Sequence, residues 1–234
     1  MQARLAELAG HLEAVRARIA AACAAAGRPA GAVTLIAVTK TFPAADVILL
    51  NRLGLTDFGE NRDQEAAPKA AECAAAGLAL RWHFVGQLQV NKAASVVSYA
   101  DVVHSVDRQR LVTALGRRAT AAGREIGCLV QVSLDDDPGR GGAAPSQVSA
   151  LADAIAAEPG LSLGGVMAVA PLGAAPRPAF ARLREIAESV RSQHPAAGVI
   201  SAGMSGDLDE AIAEGATHVR IGTALLGGRR AFVR

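Results

Sequence analysis

The first pattern along the chain is Leu5, Leu8, Leu12, Val15, Ile19 and Cys23, spaced by three and four, with Arg4, Glu7, Glu13, Arg16 and Arg18 between them. That spacing is one face of an amphipathic helix, and it predicts a docked helix over residues 1–27 that stops near Gly27. Glu7 and Glu13 argue against a transit peptide, and the charges interrupt any secretory apolar region. The rhythm then changes. Apolar, β-branched runs predict strands over 33–39, 56–59, 81–85, 101–105, 126–134, 161–169, 198–202 and 217–221. Between them, helices are expected over 43–52, 62–76, 90–98 and 108–122, from Pro145, over 177–193, from Gly206 and from Thr223. Runs such as Val33 to Val38 are continuously apolar, as in a strand covered on both faces. Eight strand–helix units in 234 residues predict an α/β fold, a (β/α)8 TIM barrel, with an open doubly wound sheet as runner-up. The Pro/Gly-rich stretches 138–145 and 171–178 fit long loops after the fifth and sixth strands, so residues 1–234 read as a single domain.

Composition narrows the function. Hydrophobic residues make up 51% but aromatics only 3%, which leaves a core of Ala, Val, Leu and Ile. A net charge of +2 from 24 basic and 22 acidic residues gives no polyanion footprint, so nucleic acid is not an expected partner. Cys23, Cys73 and Cys128 form an odd, widely spaced set without a Cys-x-x-Cys pair, which fits a reducing compartment. No apolar segment reaches the length needed to span a bilayer, and the expected location is the cytoplasm.

A barrel gathers the carboxyl ends of its strands at one mouth. The first strand ends on Lys40, followed by Thr41, Phe42 and Pro43. An amine there either reaches water or sheds its proton and becomes a nucleophile toward aldehydes, and both readings stay open. The loops after the last two strands, Ser201 to Gly206 and Gly222-Thr223, supply small residues and hydroxyls where such barrels often bind phosphate. Tight turns alone are the competing account. Taken together, an amine and a phosphate cradle suggest a phosphorylated aldehyde as ligand. His83 and His104 read as hydrogen-bonded core. Asp135 to Asp137 read as a solvated turn rather than a metal site, Glu60 and Arg62 as an ion pair near the mouth, and Cys128 as inert packing.

The stretches Leu35-Ile-Ala-Val-Thr-Lys-Thr41, Phe58-Gly-Glu-Asn-Arg62, Trp82-His-Phe-Val-Gly-Gln-Leu-Gln89, His104-Ser-Val-Asp107, Gly165-Val-Met-Ala168, Gly203-Met-Ser205 and Val219-Arg-Ile-Gly-Thr223 run through nearly the whole chain. With these motifs the chain resembles the pyridoxal phosphate homeostasis proteins, the YggS/PROSC group also called PLP-binding protein. The resemblance implies a barrel of the alanine racemase N-terminal type, with an extra N-terminal helix and without that enzyme's second β domain. It also implies that Lys40 holds pyridoxal 5'-phosphate (PLP) as a Schiff base, with Arg220 at the pyridine nitrogen. Ser201, Ser205, Gly222 and Thr223 would surround the phosphate, Met204 would also touch the cofactor, and Asn61 would line the pocket. Many relatives carry a lysine in the loop after the fifth strand, where this chain has Arg140, and arginine forms no Schiff base at ordinary pH. Arg140 is therefore assigned phosphate attraction and nothing further.

The residues also bear on catalysis. An arginine at the ring nitrogen leaves it unprotonated, and racemisation needs a second base. The single tyrosine, Tyr99, falls at a helix end on the barrel's other side. The expected function is a PLP carrier in intracellular vitamin B6 and amino-acid homeostasis without robust catalysis. A weak PLP-dependent amino-acid racemase is the alternative, and a Schiff-base lyase on phosphorylated sugars a further one. PLP-dependent apoenzymes are the expected protein partners, and a monomer the expected state.

Overall fold

The computed structural model describes residues 2–135 and 141–228. Eight parallel strands close in chain order: β1 (Thr34–Val38), β2 (Asp57–Glu60), β3 (Arg81–Phe84), β4 (Val102–Val106), β5 (Ile126–Gln131), β6 (Leu161–Met167), β7 (Val199–Ser201) and β8 (His218–Ile221). Closure rests on β1 pairing with β8 from Thr34↔His218 to Ala37↔Ile221, while Ala37 also faces Phe58 of β2. The open sheet is thereby excluded. The helices are α1 (Gln2–Ala25), α2 (Ala44–Arg52), α3 (Asp63–Ala75), α4 (Ala93–Tyr99), α5 (Gln109–Ala121), α6 (Val148–Ala157), α7 (Pro176–Gln193), α8 (Leu208–Ala213) and α9 (Thr223–Leu226). None is long and apolar enough to cross a membrane.

Strand alternation sorts residues between two layers. Phe58, Trp82, Val103 and Val219 face outward into helix-covered clusters. Their neighbours Asp57, His83, His104 and Arg220 face the lumen, joined there by the apolar cluster of Val102, Leu129 and Met167. A lumen carrying this many polar groups departs from the usual layers of aliphatic side chains. The pairing of β6 with β7 also requires a glycine: Gly165 sits at φ +144, and a Cβ there would lie 2.0 Å from the Val199 carbonyl oxygen.

Helix α1 lies outside the barrel because Leu8, Leu12, Val15, Ile19 and Cys23 share one buried cluster with Val47 and Leu50 of α2, Ile212 of α8 and Leu225 of α9. Arg4 adds an ion pair with Asp46 at 2.8 Å and a hydrogen bond to the Leu226 carbonyl at 3.1 Å. Several strands are shorter than expected, β5 and β6 at their carboxyl ends. β5 stops at Gln131 rather than 134, because the loop folds back and Ala143 bridges Val132, giving its amide to the Gln131 carbonyl at 2.7 Å. β6 stops at Met167 rather than 169, where the Ala168 carbonyl turns to accept Arg220 at 2.9 Å.

Candidate functional site

Lys40 stands two residues past the end of β1, and its side chain is exposed, with no hydrogen bond or ion pair to another described residue. The residues on either side are fixed. Thr39 is fully buried: its amide donates to the Gly59 carbonyl at 2.9 Å and its hydroxyl to Glu60 Oε1 at 2.6 Å, while its carbonyl accepts Lys69 Nζ at 2.8 Å. Thr41 stands at φ +68, a left-handed conformation that is rare and strained for a β-branched side chain. Its amide donates to Glu65 Oε2 at 3.0 Å. The expected Glu60–Arg62 pair does not form. Glu60 instead meets Lys69 at 2.5 Å under α3, and exposed Arg62 meets Glu65 at 3.5 Å. Glu60 lies on the outward, buried face of β2 with Phe58, so only a cation from the covering helix reaches it.

The two phosphate-loop candidates are joined. Ser205 Oγ, after β7, accepts the Ala224 amide of α9 at 3.2 Å. The Ser205 carbonyl accepts Arg18 of α1 at 2.6 Å, and the turn is closed by the Met204 amide on Asp207 Oδ1 at 2.6 Å. Gly222 approaches the end of β1 so closely that a Cβ would stand 3.3 Å from the Val38 carbonyl oxygen, while Thr223 is exposed beside it. Continuing the register past Val38↔Gly59 sets Lys40 across from Asn61. Gly86 is what admits Asn61 there, since a Cβ at that position would come within 2.1 Å of the Asn61 carbonyl oxygen. Lys40, Asn61, Met204, Ser205, Gly222 and Thr223 thus share one end of the barrel. Ser201 and Arg220 lie just beneath them in the lumen, buried.

Arg220 is tied by two bonds, Nη1 to Ser201 Oγ at 2.7 Å and Nη2 to the Ala168 carbonyl at 2.9 Å. Burial lowers its pKa to about 10, partly opposed by Asp207, so it stays cationic at neutral pH. Behind it, Ser201 Oγ meets His104 Nδ1 at 2.9 Å, His104 Nε2 meets His83 Nδ1 at 2.9 Å, and His83 Nε2 meets Asp57 Oδ1 at 3.0 Å. Burial holds His104 well below the usual imidazole range, reinforced by His83, Arg220, His218 and Arg81. Burial pushes the Asp57 carboxyl up, but hydrogen bonds from His83 and Thr56 outweigh it and leave the group lowered. His218, bonded through Nδ1 to Thr217 at 2.9 Å, is lowered to about 4 by burial and the nearby His83 and Arg81.

That last shift sets a pH dependence. The folded pKa of His218 lies below its unfolded value, so as pH falls the unfolded chain takes the proton first and folding loses stability. Its contribution is fully present above the ordinary imidazole range and lost as pH falls toward about 4. Between about pH 7 and about pH 5 this group is expected to cost about 2 kcal/mol. In urea denaturation at those two values, His218→Asn should lose less stability than the parent chain; equal losses would contradict the assignment.

Comparison with known proteins places the chain. The family described as "Alanine racemase, N-terminal domain" matches residues 10–230. A pyridoxal phosphate homeostasis protein of Mycobacterium tuberculosis is 46% identical over 244 residues, covering 97% of this chain and 95% of the relative. The chain belongs to the pyridoxal phosphate homeostasis protein family. PipY of Synechococcus elongatus, solved with PLP bound, superposes with a TM-score of 0.83 at 36% identity, covering 94% of this chain and 100% of PipY. Alanine racemase of Corynebacterium glutamicum, at 14% identity, shares the barrel alone, with a TM-score of 0.70 over 94% of this chain and 60% of the enzyme.

For a pyridoxal phosphate homeostasis protein, the features hardest to see in sequence are the buried Lys69–Glu60–Thr39 clamp and the link from His83 to Asp57. Lys69 lies in an Ala-rich helix and Asp57 at a strand start, where charged residues normally face solvent. Tyr99 ends α4, wedged between the two outer clusters, and burial raises its hydroxyl. Cys128 is buried in β5 and pushed up to about 12 by burial, as expected of packing. Arg140 and the residues Asp136 and Asp137 lie outside the described residues.

Proposed function

We propose that this chain binds PLP reversibly through a Schiff base on Lys40 and serves cofactor homeostasis rather than robust catalysis. The observation that carries the reading is the Lys40 amine, unpaired among the described residues, at one end of a barrel whose last two loops, bonded to each other through Ser205 and Ala224, close against β1. Membership of a family named for PLP homeostasis, and a 36%-identical relative solved with PLP, support it. When bound, the cofactor would supply an aldehyde carbon to the amine and an anionic phosphate to the loops. Ser201, Ser205, Gly222 and Thr223, with Met204 alongside, would hold the phosphate, and Asn61 would line the pocket. Arg220 would donate to the ring nitrogen. A guanidinium has no lone pair with which to accept a proton and leaves that nitrogen unprotonated, which weakens the ring as an electron sink.

Among the described residues, the candidate second bases Tyr99, His83 and His104 have other commitments, which favours the same reading over a racemase. Tyr99 is turned into the helix layer, and His83 and His104 are committed to each other beneath Arg220. The same proposal takes the chain to be a cytoplasmic, monomeric, single-domain carrier that exchanges PLP with apoenzymes. Purified protein incubated with PLP and then desalted is expected to retain visible absorbance, and to invert L- or D-alanine no faster than free PLP does. Turnover well above free PLP would favour the racemase. A protein that stays colourless, and forms a trapped adduct only with sugar phosphates, would favour the lyase.

A further inference from the structure

The strongest feature the proposed function leaves unused is the polar chain through the lumen. Four hydrogen bonds run from Arg220 Nη1 to Ser201 Oγ, from Ser201 to His104, from His104 to His83, and from His83 to Asp57, none longer than 3.0 Å. They join β8, β7, β4, β3 and β2, and the step from β4 to β7 joins strands that are not neighbours, so it crosses the lumen. Ser201, His104 and His83 are each almost wholly buried, and only Asp57 at the far end reaches solvent. Asp57 opens on a cavity of about 420 Å³ at the amino-terminal end of the barrel, shared with Arg16, Thr34 and Thr56.

With both imidazoles neutral, the donors in this chain run in one direction. Asp57 Oδ2 already accepts the Thr56 hydroxyl at 2.8 Å, and its Oδ1 faces His83, so the ionised carboxylate must accept a hydrogen bond from His83 Nε2–H. With one proton each, His83 then offers the lone pair of Nδ1, His104 must donate from Nε2, and His104 Nδ1 is left as an acceptor. Ser201 Oγ donates to that nitrogen and turns its lone pairs to Arg220. In the reverse order Ser201 would receive from both His104 and Arg220, and its own proton would lack an acceptor.

We propose that Asp57, His83 and His104 are positioning residues: they fix the Ser201 hydroxyl, and through it the Arg220 guanidinium, in the orientation that meets the ring nitrogen of bound PLP. The inference rests on the proposed placement of Arg220 and deepens it. Asp57 acts across the barrel without touching the cofactor. Arg220 spends two of its donors on Ser201 and Ala168, and the others stay aimed by those ties.

Long-range nitrogen–proton NMR of the imidazoles in the PLP-free protein reads the order directly. His83 and His104 are both expected to carry their proton on Nε2. Asp57→Asn presents a donor and an acceptor in place of two acceptors, which releases the constraint, so His104 is expected to populate the Nδ1–H form. After PLP is added, Asp57→Asn is expected to move the visible absorption maximum and weaken PLP binding by about tenfold, roughly one hydrogen bond to a charged group. Asp57→Glu, which keeps the carboxylate, is expected to restore both. A parent protein with the His104 proton on Nδ1 overturns the proposal, and so does an Asp57→Asn protein with parental tautomers and an unmoved spectrum. The tautomers are read without PLP, so a parent chain that takes up no PLP defeats the proposed function alone. A parent that binds PLP beside an unperturbed Asp57→Asn variant defeats the relay alone.

Discussion

Replacing Lys69 by methionine is expected to destabilise the fold by about 3–5 kcal/mol, the cost of stripping one partner from a buried ion pair. The Lys69 ammonium is 7% exposed and the Glu60 carboxylate 1%, with 2.5 Å between them. Methionine keeps most of the stem volume, so the loss falls on Glu60, whose Oε2 already has no hydrogen-bond partner among the described residues. Burial holds the Glu60 carboxyl above its ordinary pKa, with Lys69 and Thr39 pulling against it. Its folded pKa therefore exceeds the unfolded one, and the stability it lends is present at low pH and fades as pH rises through the folded value. Removing Lys69 widens that gap. The variant should be closest to the parent in acid, where Glu60 holds a proton, and furthest from it in mild alkali. Paired with Glu60→Gln, Lys69→Met should cost much less than alone, because no uncompensated charge remains. Denaturant titrations of the parent, both single variants and the double variant check this; additive costs would contradict the clamp. The same variant should loosen the backbone before Lys40, since Lys69 also holds the Thr39 carbonyl at 2.8 Å.

The sequence made the barrel legible because two periodicities alternated cleanly. Apolar runs such as Val33 to Val38 cannot sit on a solvent-facing sheet, and eight strand-like stretches alternating with helical ones in one chain favour a closed ring. Boundaries failed where local chemistry overrode composition. Val132 and Leu134 are as apolar as a strand interior, yet the chain folds back there and bridges at Ala143. Val169 lies beyond β6 because the Ala168 carbonyl serves Arg220. For the candidate site, Lys40 and the two terminal loops could be picked out from a strand-end lysine and small residues in turns, and the structure brings them to one end of the barrel. Their supports could not be picked out in this way. Thr39, Glu60 and Lys69 are brought together by the packing of α3 on β2, and Asp57 reaches His83 only because adjacent strands set both into the lumen. A single sequence records residue types and spacing along the chain, whereas these contacts depend on register between strands.

Lys40→Ala is expected to abolish stable PLP uptake while leaving the fold nearly untouched. Its side chain is exposed and bonds to no other described residue, so truncation opens no cavity and orphans no buried partner. What is lost is the one amine at this end of the barrel placed for an aldehyde; Lys69 is buried in its ion pair, and Lys92 is drawn to Asp63 at 3.8 Å. The thermal unfolding midpoint should stay close to the parent's, while visible absorbance after incubation with PLP and desalting falls to background. Lys40→Arg should fare no better, because a guanidinium keeps the charge but forms no Schiff base.

Borohydride reduction of the PLP-loaded protein, followed by peptide mapping, puts the central claim to its most direct test. A stable pyridoxyl label is expected on the peptide containing Lys40 and nowhere else in stoichiometric amount. A label on Lys69, on Lys92 or on no side chain at all would contradict the account.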